Sequence, residues 1–195
     1  MSKIELRKEN VTAAYSVADS NTKKVLAALF GDIVKRPTPT LDDYKTIQDY
    51  EDACIALGED PMDEAKLMDA GTPPHIIALM KLETISRALW GRNFEPKPDA
   101  EGRKVYWYCW FALYTKKEIQ DMSAEQRGAL LSASAGHGAH AGFGYLHTSY
   151  RSSYSRATLG FRLCQETDEK ATYFGRKFIR LWAEYHKFNF KIEED

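Results

Sequence analysis

His137 and His140 stand three residues apart, with His147 seven further on, and together they pose the first chemical question of this chain. A zinc site needs three or four convergent imidazole, thiolate or carboxylate ligands. Gly136, Gly138, Gly142 and Gly144 speak against the helix that would bring the first two histidines together, and no cysteine or acidic residue lies nearby. Solvated or hydrogen-bonding histidines are therefore expected, and no metal ion. The same glycines do not make a phosphate cradle. A GxGxxG loop would need its third glycine one place before Gly142, no P-loop lysine is present, and no clear helix follows.

Nucleophilic catalysis finds equally little. Ser149, Ser152, Ser153 and Ser155 lie near His147, but no GxSxG elbow frames any of them. Cys109 and Cys164 are flanked by apolar residues, which raises a thiol's pKa instead of activating it. The many acidic pairs sit where helices begin or on charged faces. No catalytic residue and no cofactor is assigned, and an enzyme assembled from distant residues is the third-ranked reading.

Residues 147–158, HTSYRSSYSRAT, point elsewhere. Tyrosine offers rigid amphipathic area, serine and glycine adapt their hydrogen bonds, and arginine adds charged ones, which is the composition of a binding paratope. Within the segment 137–156 the expected contact residues are Tyr145, His147, Tyr150, Arg151, Tyr154 and Arg156. Their expected partner is an unknown protein or surface ligand. The alternative is single-stranded nucleic acid, with the same tyrosines stacking bases and Arg176 and Arg180 meeting phosphates. Arg176, Lys177 and Arg180 share part of one helix face, and a solvated face opposite an aromatic stripe explains them equally well.

Several elements must position this segment. Residues 3–17 alternate through Ile4 and Leu6 and from Val11 to Val17, as a strand does. A helix capped by Asp19 or Ser20 carries Val25, Leu26, Leu29 and Phe30, with Gly31 as its stop. Asp49 caps a short helix that ends at Gly58, and Pro61 begins another that reaches residue 69. Thr72 caps the strongest helix, with Pro73 at its first position and a stripe from Ile76 to Trp90. Residues 104–115 are almost wholly apolar or aromatic and fit a strand covered on both faces. Two short helices follow, the second capped by Ser123. Residues 132–158 are expected as loop, strand, loop, and TLGFRLC as a buried strand. Thr167 caps a long final helix with a stripe through Tyr173, Phe174, Phe178, Leu181, Trp182 and Tyr185. The fold class is thus α+β: a single domain with a small, mainly antiparallel sheet, several helices and a long C-terminal helix.

The balance of 27 basic and 28 acidic residues gives a net charge of −1, so no global field draws the chain to nucleic acid or anionic lipid. Three scattered cysteines argue for a reducing compartment and against a disulfide framework. The charged N-terminal residues hold no apolar signal-peptide core, and no run of about 18 apolar residues could span a membrane. The expected location is a host cytoplasm or a virion, and the sequence is compatible with an oligomer.

The aromatic strand at 106–111, GFRLC at 160–164 and YFGRKFIRLW at 173–182 resemble a family of proteins carried by phages and integrated mobile elements of gut anaerobes. YEDACIALG at 50–58 belongs to the same resemblance, which covers about two thirds of the chain and implies no activity. The segment before GFRLC also resembles the variable part of phage-type ligand-display proteins on a C-type-lectin-like scaffold. That likeness implies binding ahead of catalysis, although a helix after Cys164 departs from that scaffold.

Overall fold

A peptide group buried without a hydrogen-bond partner is expensive, so each segment folds as a helix or finds a neighbouring strand. The computed structural model describes residues 7–18, 20–34, 37–97, 99, 101–128, 130, 142–152 and 161–186. Its contacts divide the chain into two compact units, residues 1–38 and 39–195.

In the first unit, α1 (Lys8–Val17) packs with α2 (Ser20–Val34). The strand expected over 11–17 is therefore a helix, and Ile4 and Leu6 lie outside the described residues. Alternation alone cannot hold a strand that has no partner, whereas a helix satisfies its own backbone. Adjacent alanines at 13 and 14 favour that outcome. Gly31 does not stop α2. The helix kinks at Phe30 (φ −131°, ψ 33°) and resumes to Val34.

The second unit begins with helices whose ends follow local chemistry. In α3 (Tyr50–Leu57) the Asp49 carboxylate accepts the Asp52 N–H at 2.9 Å, and Gly58 closes the helix at φ 70°. Helix α4 (Glu64–Asp69) starts later than Pro61 because Asp63, which accepts from the Lys66 N–H at 3.0 Å, supplies the cap. In α5 (Pro74–Trp90) the N-cap is Pro73, one residue beyond the expected Thr72, and no side chain caps it. Leu82, Ile85 and Leu89 along α5 are fully buried and pack against α3 and the final helix. Gly91, just past α5, has φ 78°, and a Cβ there would lie 2.8 Å from the Leu41 carbonyl oxygen. Only glycine meets both conditions.

Strand β1 (Val105–Tyr114) follows, then α6 (Lys116–Asp121) and α7 (Ala124–Gly128). Thr115 and Glu118 form a reciprocal capping box, and Ser123 and Gln126 repeat it at 3.2 and 2.9 Å. Strand β2 (Gly142–Ser152) pairs antiparallel with β1, confirming extended structure at FGYLHTSY. The buried strand expected at TLGFRLC is instead a 3-10 turn at Phe161–Leu163, with residues 158–160 outside the described set. That turn sets Phe161 edge-on to Tyr106 at 5.6 Å and sends Leu163 into the main core. Strand-like pairing survives only at Gln165, which exchanges two 2.9 Å backbone hydrogen bonds with Trp107.

The long final helix is two: α8 (Asp168–Lys177), capped by Thr167, and α9 (Ile179–His186). They break at Phe178 (φ −105°, ψ 26°). A break of one residue preserves the spacing of Phe174, Phe178 and Trp182, so the apolar stripe reads the same in either case. All three are buried, and Trp182 packs on Phe111 of β1 at 4.9 Å. The second unit thus realises the α+β class, with α8 and α9 laid on one face of a two-stranded sheet.

Candidate functional site

Side chains of a strand alternate between faces, so a strand through the candidate segment divides its residues. Trp107 faces Tyr150, Cys109 faces Thr148, and Phe111 faces Tyr145. Tyr106 pairs with Arg151 and Trp110 with His147. The pairing skips Leu146, a bulge that puts Tyr145 and Tyr150 on one face although they are five residues apart. His147, Ser149 and Arg151 occupy the other face.

The Tyr145 face meets α8. The Tyr145 hydroxyl lies 3.2 Å from the Thr172 hydroxyl, and the Thr148 hydroxyl donates to the Asp168 carboxylate. Tyr145 is half-buried because α8 comes unusually close at Gly175, where an added Cβ would stand 2.6 Å from the ring. The guanidinium of Arg176 lies over the same ring at 5.1 Å. Contact between Tyr145 and Arg176 joins a residue of the paratope reading to one of the nucleic-acid reading. Arg180 is exposed at the start of α9. Beyond the start of α8, Tyr150 leans on Trp107 at 5.2 Å and is 56% exposed.

Among the described residues, the opposite face is covered only at its ends. Near Ser152 in the sheet, Tyr106 and Tyr108 pack with Phe94, Phe161 and Cys164. At the other end Gly142 and Gly144 give room to Ile119 and Leu130: a Cβ at Gly144 would sit 2.6 Å from Leu130 and one at Gly142 would sit 2.9 Å from Ile119. These glycines permit close packing inside a strand; they do not loosen a loop. Between the two ends lies Trp110, 45% exposed, its ring stacked on His147 at 6.0 Å and its indole N–H donating to the Ser149 hydroxyl at 2.5 Å. Leu146, 50% exposed, precedes His147 at the bulge, and the exposed Arg151 pairs with Tyr106 farther along the same sheet. The complete coverage expected for β1 therefore fails at Trp110 and also at Leu113.

Sequence reasoning missed Trp110. Its signal was its phase: it alternates with Tyr106 and Tyr108 on one face, where a polar partner strand stands opposite. Tyr154, Arg156, His137 and His140 lie outside the described residues.

Reactive groups are held in check by burial. It pushes the Cys109 thiol well above the ordinary thiol range and the Cys164 thiol up to about 12. Cys109 also donates its S–H to the Ala171 carbonyl at 3.1 Å. Tyr108 and Tyr173 are each pushed up to about 12, chiefly by desolvation. His186 stacks on Trp182 at 5.7 Å, and burial lowers its pKa. Among the described residues, no group of three His, Cys, Asp or Glu side chains could hold a metal ion, and no helix is long and apolar enough to cross a membrane. No family model, curated protein or solved structure matches the chain.

Proposed function

We propose that this chain is a non-enzymatic protein of a phage or mobile element that binds a partner protein or surface ligand through the β1–β2 hairpin. His147, Tyr150 and Arg151 are its contact residues, Trp110 is its anchor, and Tyr154 and Arg156, which lie outside the described residues, are further contacts. Tyr145 contributes from behind, by holding Arg176. The observation that carries this reading is the restraint on Trp110. A large aromatic ring nearly half in water, yet stacked on one neighbour and hydrogen-bonded to another, is already ordered before a partner arrives. Pre-ordered aromatic anchors lose little entropy on binding and dominate interface energetics. Leu146, in the bulge beside His147, extends the exposed apolar area next to Trp110, and Tyr150 is exposed on the other face of the same strand; exposed apolar clusters mark interaction surfaces. Recognition ranks above catalysis because both thiols discussed above and the two shifted tyrosines are moved away from reactivity.

The test is comparative capture. Tagged wild-type protein and the Trp110→Ala and Tyr150→Ala/Arg151→Ala variants are each used to recover partners from the native source. The expected outcome is a protein or glycan present with wild type, lost with both variants, and rebinding purified wild type alone. Variants that keep the same recovered set, or that lose several degrees of thermal midpoint, overturn the reading.

A further inference from the structure

Helix α8 carries a groove whose lining includes none of Trp110, His147, Tyr150 and Arg151. It is shallow and open, about 650 Å³, with Tyr44, Glu169, Thr172, Tyr173, Arg176 and Lys177 in its lining. One wall is pinned: Tyr44 packs edge-on against Tyr173 at 5.3 Å, and the Tyr173 hydroxyl donates to the Ile47 carbonyl at 2.8 Å. Arg176 is steadied on the Tyr145 ring, and among the described residues no carboxylate pairs with it or with Lys177.

Charge and spacing decide what fits. Glu169 and Arg176 are seven residues apart, which is two turns of one face and about 10 Å along the axis at roughly 1.5 Å per residue. An extended chain in the polyproline II form advances about 3.1 Å per residue with three residues per turn, so its side chains three positions apart share one face and cover nearly the same span, about 9 Å. The Glu169 carboxylate is fully exposed, and hydrogen bonds from its own N–H and from Thr167 hold its pKa below the usual carboxylate range, so it stays ionised near neutrality. A running polyanion would therefore meet repulsion from Glu169 and Asp168 after contacting Arg176, with no help from a chain of net charge −1. A small molecule would lie too open, since ligand pockets bury about 70–90% of their occupant.

We propose that this groove binds an extended segment of a partner protein, with an acidic side chain against Arg176 and Lys177 and a basic one three residues away against Glu169. The proposal stands on α8 and does not rest on the hairpin reading.

A displayed library of random heptapeptides, selected on the full chain, tests it. Wild type is expected to enrich an acid-x-x-base pattern, in either chain direction. Arg176→Glu should lose that enrichment, and Glu169→Lys should shift it to acid-x-x-acid. For a synthetic peptide of the enriched class, each charge reversal should weaken binding about tenfold, the scale of a lost charge-assisted contact. Trp110→Ala should leave that affinity unchanged, which separates this groove from the hairpin. If Arg176→Glu does not fold, Lys177→Glu tests the same end. The proposal is overturned by no enrichment, by enrichment without the charge pattern, by peptides indifferent to both reversals, or by a twelve-residue oligothymidylate that binds through Arg176 more tightly than any selected peptide.

Discussion

Replacing Gly175 by alanine gives the sharpest stability prediction. In an ordinary helix interior this change stabilises by about 1 kcal/mol, because alanine loses less backbone entropy. Here the new Cβ would stand 2.6 and 2.7 Å from two Tyr145 ring carbons and 3.1 Å from the Cys109 sulfur. Carbon atoms prefer about 3.5–4.0 Å, so the ring must retreat by about 1 Å. Overpacking of this kind costs about 1–3 kcal/mol. The retreat also loosens the Tyr145–Thr172 hydrogen bond, worth about 1 kcal/mol, and the Arg176 contact on the same ring, worth about 0.5 kcal/mol. After subtracting the propensity gain, Gly175→Ala should destabilise by about 2 kcal/mol. For a unit of this size that is a fall of about 4–8 °C in thermal midpoint. Urea titration followed by circular dichroism measures it, with the midpoint moving and the slope constant. In a Tyr145→Ala background the same change should turn neutral or stabilising, so the double-mutant cycle reports the coupling directly. A Gly175→Ala protein as stable as wild type or more so would show that the ring yields freely, and would remove the close approach of α8 as the reason for Tyr145's position.

Other expectations follow from the same contacts. Tyr150→Ala with Arg151→Ala should cost about 1 kcal/mol or less, since what is lost is the cross-strand contact with Trp107 and an exposed hydrogen bond from Arg151 to the Tyr150 carbonyl; a thermal melt checks this. Burial holds the His186 pKa below its unfolded value, so between the two the unfolded chain binds more protons. Stability should be full above about pH 6.5 and fall as the pH drops below it. Urea midpoints at pH 7.5 and 5.5 should differ in that sense, and less in His186→Phe. Cys54, Cys109 and Cys164 are all buried, so a thiol reagent at pH 8 should modify the native protein slowly, with rates that rise in urea. Trp182→Ala empties the centre of the aromatic cluster and should cost about 3–5 kcal/mol by urea titration.

Helix ends were the most legible feature of the sequence, because caps are local chemistry. Asp49, Gly58, Ser123 and Thr167 each act where their side chains or their freedom of φ suggest. What the sequence hid depends on partners. Alternation at Val11 to Val17 cannot say whether a second strand exists to accept it, and none does among the described residues of that unit. Phe161 and Leu163 alternate as strand residues would, yet a 3-10 turn sends them to two different clusters. At the candidate site, residue composition identified the surface-bearing segment but not its division. The bulge at Leu146 decides which side chains share a face, and it leaves no mark in composition.

That division constrains any binding mechanism. A loop could turn Tyr145, His147, Tyr150 and Arg151 toward one partner, but a paired strand cannot, because successive side chains leave from opposite faces. His147 and Arg151 go with Trp110, while Tyr145 goes with α8 and Arg176. Recognition through β2 must therefore either use the Trp110 face alone, or wrap over the strand to reach Tyr150 as well. The two cases separate in a binding assay with the captured partner. Under the first, Trp110→Ala abolishes binding and Tyr150→Ala leaves it within about twofold. Under the second, the two losses are comparable, each about tenfold or more. If only Tyr150→Ala weakened binding, the anchor would lie on the α8 side of the sheet, and the restraint on Trp110 would be a matter of packing alone.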